Sequence, residues 1–177
     1  MKAVLISIQP KWCELIASGK KTIEVRKTVP ALGEALKVYI YCTKGKFKPH
    51  EHLRGNMHYD DSVVLVSEGQ GMVIGEFICR KKSYISARID DSCERHLENT
   101  AFLERAMCLS DHELFDYLYK GKGKDNGGWA WHIDNLVLYK GAPRPLSEFS
   151  KYGFGEPVPL KRPPQSWMYV EDGVCGV

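Results

Sequence analysis

Within the short stretch Ser18-Gly-Lys-Lys-Thr-Ile-Glu-Val-Arg-Lys27 stand an amine (Lys21), a hydroxyl (Thr22), a carboxylate (Glu24) and a guanidinium (Arg26). Alternate side chains of a strand share a face, so Thr22, Glu24 and Arg26 fall in a row while Ile23 and Val25 turn to the core. Lys21 and Arg26 suit a phosphate, which they bind through charge-assisted hydrogen bonds; Glu24 suits a base or a ribose hydroxyl, from which a carboxylate accepts. The chemistry is that of a nucleotide site. The plainer alternative is a set of surface charges paired across strands, contributing about 0 to 1 kcal/mol.

The elements around this stretch follow from pattern. Ala3 to Ile8 is an apolar, β-branched run of strand length, and Pro10 stands where a helix begins. Lys11 to Ser18 is expected to be that helix, with Trp12, Leu15 and Ile16 at helical spacing and Gly19 as its left-handed cap. Lys21 to Arg26 then reads as a strand. Leu36 to Cys42, Val63 to Val66 and Gly71 to Cys79 continue in β-forming residues, as do Trp129 to Tyr139 and Ser166 to Val170. Glu94 to Met107 and Asp111 to Tyr119 have helical spacing, the second opening with Ser110 as cap and Glu113 three residues on. Six prolines between Pro143 and Pro164 predict a segment that wraps the surface in extended form. The expected class is α+β: a small, mostly antiparallel barrel with one early helix and a peripheral helical insertion at about 91–120, in a single domain over 1–177.

Composition bounds the function. A chain of 177 residues, 44% of them hydrophobic, can bury one real core. A net charge of +3 lies far below the profile of a dedicated duplex binder. The six cysteines (Cys13, Cys42, Cys79, Cys93, Cys108, Cys175) have no CxxC spacing, and the first residues hold too short an apolar run for a signal peptide. With no stretch of about 20 apolar residues, the expectation is a cytoplasmic protein with reduced thiols and no membrane partner.

The run Ile8-Gln-Pro-Lys-Trp12, Ile16, Gly19-Lys-Lys21, Glu24 and Arg26, followed by Val38-Tyr-Ile-Tyr41, resembles the ASCH domain, whose signature is Gly-x-Lys-x-x-Glu-x-Arg after the first helix. Trp131-His-Ile-Asp134 and Pro163-Pro-Gln-Ser-Trp167 are similar to other members, so the resemblance spans the chain outside roughly Ser83 to Asn126. It implies a PUA-like β-barrel that binds RNA or nucleosides, with some members acting as amidohydrolases on acetylated cytidine or as ribonucleases. In the amidohydrolases the resemblance places a catalytic lysine at Lys21, a nucleophilic threonine where this chain has Glu24, and a further glutamate for which Glu76 is the match. Thr22 could stand in for that nucleophile only by a different approach. If the chain is an enzyme, Glu24 or Glu76 would activate water beside Lys21.

Other residues complete the expected site. Tyr39 and Tyr41 share one strand face and suit a pocket wall, and Trp131 is one of several aromatics suited to stacking a base. Lys44, in Lys44-Gly-Lys-Phe-Lys48, and the lysines at 120, 122 and 124 could guide a phosphate backbone. His50, Glu51, His52 and His58 fit no standard metal spacing, and neither a metal nor a cofactor is expected. The partner expected is RNA, a nucleoside or a nucleotide. A third reading is a protein-docking module exposing Leu114, Phe115 and Leu118.

Overall fold

The computed structural model describes residues 1–31, 33, 35–49, 57–100, 103–119, 126–153 and 155–172. Strand β1 (Lys2–Ile8) is buried from Ala3 onward because it is central, flanked by antiparallel β10 (Trp167–Glu171) and parallel β3 (Leu36–Cys42). Strands covered on both faces read as continuous apolar runs, and β1 and β3 do. Helix α1 (Pro10–Ala17) leaves β1 through Gln9 and ends on Gly19 at φ +75°, where Gly19 and Lys21 donate their N–H groups to Ile16 and Leu15 carbonyls. That cap turns the chain straight into β2 (Ile23–Arg26).

The strands form two sheets. Besides those named, the strands are β4 (Met72–Cys79), β5 (Lys82–Ile89), β6 (Arg95–Glu98), β7 (Gly127–His132), β8 (Asp134–Leu138) and β9 (Arg144–Pro145); the first sheet runs β10-β1-β3-β4-β8, with β4 also pairing β9, and the second runs β2-β7-β5-β6. Strands β7 and β8 meet at Ile133 and belong to different sheets, so one extended run ties the two together. Apart from β1 with β3, the pairings are antiparallel. The α+β class is as expected, but the described strands do not close into a barrel.

Three elements differ from the pattern reading. Val63 to Val66 lies within helix α2 (Met57–Gly69), where Ser62, Leu65, Val66 and Gly69 are buried at helical spacing while Val64 is exposed. A short β-branched run carries no decisive period, and packing beside α1 settled it. Strand β5 (Lys82–Ile89) went unread, and β6 (Arg95–Glu98) occupies part of the expected helix from Glu94 to Met107, of which only α3 (Glu104–Met107) is helical. A turn anchored on the Asp90 carboxylate, with Cys93 at φ +65°, reverses the chain between those strands.

Helix α4 (Asp111–Leu118) forms as expected from its capping box, in which Glu113 N–H donates to Ser110 Oγ at 3.3 Å and Ser110 N–H donates to Glu113 Oε2 at 2.9 Å. Its apolar side is covered. Leu114, Phe115 and Leu118 pack with Met107 onto Ile23, Val25, Ile85 and Ala130 of the second sheet, so no apolar stripe faces outward there. The insertion is one layer of a core rather than a peripheral addition. On the first sheet, one face packs on α1 and α2 and the other on the proline-rich segment, through Phe149 and Leu160. No described helix is long and apolar enough to cross a membrane.

Candidate functional site

A cleft of about 720 Å³ opens where β1 and β3 end and α1 begins. Its floor comes from the stretch after α1. Glu24 Oε1 lies 3.0 Å from Arg26 Nη2 and Glu24 Oε2 lies 3.5 Å from Lys21 Nζ, and the three side chains are 7%, 12% and 2% exposed. Lys21 and Glu24 meet although a strand would separate them, because Lys21 sits in the cap turn before β2 begins.

Backbone carbonyls hold the rest of the triad. Lys21 Nζ donates to Met107 O at 2.5 Å, and Arg26 Nη2 donates to Ser7 O at 2.6 Å. Arg26 Nε is buried without a hydrogen-bond partner among the described residues. Two cations against one carboxylate leave the floor with surplus positive charge. Burial pulls the Lys21 amine below the ordinary lysine value, and the charge of Glu24 is the main force opposing that drop.

The walls come from elements that sequence alone did not assign to a site. Ser7, Gln9, Lys11 and Trp12 line the side formed by β1 and α1, with Lys11 Nζ 4.2 Å and Lys21 Nζ 5.1 Å from the Trp12 ring centre. Facing them, α4 contributes His112, Glu113, Asp116 and Tyr117. His112 Nδ1 lies 3.2 Å from Asp116 Oδ2 one turn on, and Asp116 Oδ1 accepts from Arg95 Nη1 at 3.0 Å. Burial raises the Tyr117 hydroxyl above its ordinary value. Lys11 and Trp12 belong to the resemblance already quoted and were open to being read as site residues. Nothing local marks the outer face of α4 as a cleft wall.

Of the expected site residues, Lys21, Glu24 and Arg26 come together here, and the others do not join them. Thr22 is exposed; its N–H donates to Ala106 O and its carbonyl accepts from Ile133. Tyr39 and Tyr41 do share a face, but it packs against Phe149 and Leu160, where Tyr39 Oη donates to Asp172 at 2.8 Å, and neither ring lines the cleft. Glu76, the register partner of Tyr39, lies there too and binds Lys37 at 3.2 Å and the Tyr139 hydroxyl at 2.5 Å. Alternation fixes which residues share a face, not which of them reach the cleft.

Trp131 is fully buried in the main core, paired in register with Glu24 but covered by Trp167. Lys44 is exposed and lays its stem over Gly71. The histidines at 50, 52 and 58, the lysines at 120, 122 and 124, and Cys175 lie outside the residues whose side chains are described. Cys13, Cys42, Cys79, Cys93 and Cys108 are free thiols. Away from the cleft, Asp90, Glu94 and His96 bring potential metal-ligating atoms within 4.8 Å of one another. Asp90 already accepts from the Ser92 and Glu94 N–H groups and from His96, contacts that hold its carboxyl below the usual range.

No protein-family model and no curated protein matches the chain. Solved structures do. The crystal structure of ASCH from Zymomonas mobilis is 18% identical, with a TM-score of 0.51 over 96% of this chain and 87% of that one. One single-residue variant of that protein gives 19% identity and a TM-score of 0.55 over 96% and 88%. A second variant gives 18% and 0.51 over 97% and 91%. Near-complete coverage at such low identity makes this a likeness of fold, and the conclusion is that the chain has the fold of the ASCH domain.

Proposed function

We propose that the chain is an ASCH-type, PUA-like domain that binds single-stranded RNA or a modified nucleoside in the cleft above Lys21, Glu24 and Arg26. The observation that carries this reading is the buried triad. Two cations and a carboxylate are held in low dielectric at the floor of an open cleft of about 720 Å³, inside the range of small-ligand sites. A surface salt bridge would need neither the burial nor the cleft.

The roles differ from the simplest expectation. Both Glu24 oxygens already face a cation, so the carboxylate sets the Lys21 and Arg26 donors in place at the cleft floor rather than meeting the ligand itself. Trp12 and Tyr117, rather than Tyr39, Tyr41 or Trp131, supply the aromatic surface. Hydrolysis on the amidohydrolase pattern finds less support. Glu24 replaces the nucleophile, and Glu76 is tied to Lys37 and Tyr139 and does not line the cleft that holds Lys21.

The test is a titration of wild type and Arg26→Ala with short single-stranded RNA and with ribonucleosides, beside an assay for acetate release from acetylcytidine. Binding that weakens with salt and is lost in folded Arg26→Ala is the expected result. Equal binding by both proteins would remove the cleft from consideration. Acetate release by wild type would move the reading to a hydrolase.

A further inference from the structure

A second, smaller pocket of about 300 Å³ adjoins the cleft and shares Lys11, Trp12 and Glu113 with it. Lys20, Arg105 and Cys108 complete its polar lining. Three cations therefore surround a concavity that holds one carboxylate, a surplus of positive charge, and one oxygen of that carboxylate is held by the helix cap: Glu113 Oε2 accepts from Ser110 N–H at 2.9 Å and Ser110 Oγ at 2.8 Å. Among the described residues, none of Lys11, Lys20 and Arg105 forms a salt bridge, and the Lys11 amine lies over the Trp12 ring.

The arrangement is built. Lys20 belongs to the turn after α1 and Arg105 to α3, distant in sequence, yet the Cys108 thiol lies 3.4 Å from Lys20 O and 3.5 Å from Arg105 O. Cys108 holds φ +55°, a left-handed conformation a non-glycine residue adopts at some cost, and Lys21 Nζ donates to the neighbouring Met107 carbonyl. The fold thus pins two cation-bearing segments side by side, against the repulsion of their own charges. Such a cluster is repaid when an anion enters.

We infer that this pocket holds a backbone phosphate of a single-stranded RNA whose neighbouring nucleoside sits in the cleft, with Trp12 as the ridge between the two. The ligand is then an oligonucleotide rather than a free nucleoside. The inference rests on the nucleotide reading of the cleft and adds the phosphate subsite of Lys11, Lys20 and Arg105.

Wild type and Lys20→Gln/Arg105→Gln are titrated at several salt concentrations with three probes: a seven-nucleotide RNA of randomised sequence, the four ribonucleosides, and their 5′-monophosphates. The double variant is expected to keep the nucleoside affinity of wild type and to bind the RNA more weakly. With one phosphate no longer neutralised, its slope of log affinity against log salt should be shallower by about 0.7, so a fourfold rise in salt costs it about 2.6-fold less than it costs wild type. RNA affinity and slope unchanged in the variant, with nucleosides still bound by both proteins, would overturn the subsite and leave the cleft reading standing. A monophosphate bound as tightly as the RNA and weakened equally by the variant would overturn the polymer and make the pocket a terminal-phosphate site. No binding of any probe by wild type would overturn the cleft reading and the subsite with it.

Discussion

Lys21, Glu24 and Arg26 are interdependent because burial makes each costly without the others. Lys21 has the most to lose, being 2% exposed and facing another cation across a shared carboxylate. Its proton is bound less tightly in the folded chain than in the unfolded one, where the ordinary value of 10.5 applies. Between its lowered folded value and 10.5 the unfolded chain therefore carries more protons at this position, and the Lys21 contribution to stability rises with pH. The stability of wild type minus that of Lys21→Met, from urea denaturation at successive pH values, is expected to move in favour of wild type as pH climbs toward 10.5. Subtracting the variant removes Tyr117, whose raised hydroxyl acts in the opposite direction at alkaline pH. A difference flat across that range would show that Lys21 is not held as a buried amine.

At the scale of elements, α4 links stability to the site. Its outer face gives the cleft His112, Asp116 and Tyr117, while its inner face buries Leu114, Phe115 and Leu118. Ser110 starts the helix, so Ser110→Ala is expected to lower stability by about 1 kcal/mol. The same change should weaken ligand binding although Ser110 is not among the cleft residues, and calorimetric unfolding with a parallel titration reads both. Stability lost with binding untouched would show that α4 is not a working wall. This helix was legible because a capping box is a local signal, as were the proline start of α1 and the glycine at its end. The same locality explains the misses. Val63 to Val66 has the residue types of a strand and is helical because Leu65 and Val66 meet the core beside α1. Strand β5 is half exposed and largely polar and β6 has only four residues, so little apolar alternation marks them. Lys21, Glu24 and Arg26 were legible as a site because one turn and one strand bring them together. The opposing wall comes from chain more than eighty residues away, and no pattern within α4 says what it faces.

For the molecule as a whole, the question is whether residues 90–125 are an insertion that a smaller domain could shed. The contacts say otherwise. The Lys21 amine donates to the Met107 carbonyl and the Thr22 N–H to the Ala106 carbonyl, so α3 is bonded into the stretch that carries the site. Met107, Leu114, Phe115 and Leu118 cover Ile23, Val25 and Ala130, and among the described residues the other side chains packed on that cluster, Leu97, Leu103, Ala106, Leu109 and Tyr119, come from the same segment. Side chains of this size contribute about 1.5 to 3 kcal/mol each on burial. Four of them together approach the net stability of an ordinary domain, about 5 to 15 kcal/mol. Replacing residues 90–125 by a short glycine-serine linker between β5 and β7 is therefore expected to abolish the cooperative thermal transition and to expose the apolar face of the second sheet to dye. A shortened chain that still melts cooperatively near the wild-type temperature would show that the second sheet is stable without its helices. The segment that departs from the family resemblance completes one core, accepts the hydrogen bond of the buried lysine and supplies one side of the cleft, so fold and site share it.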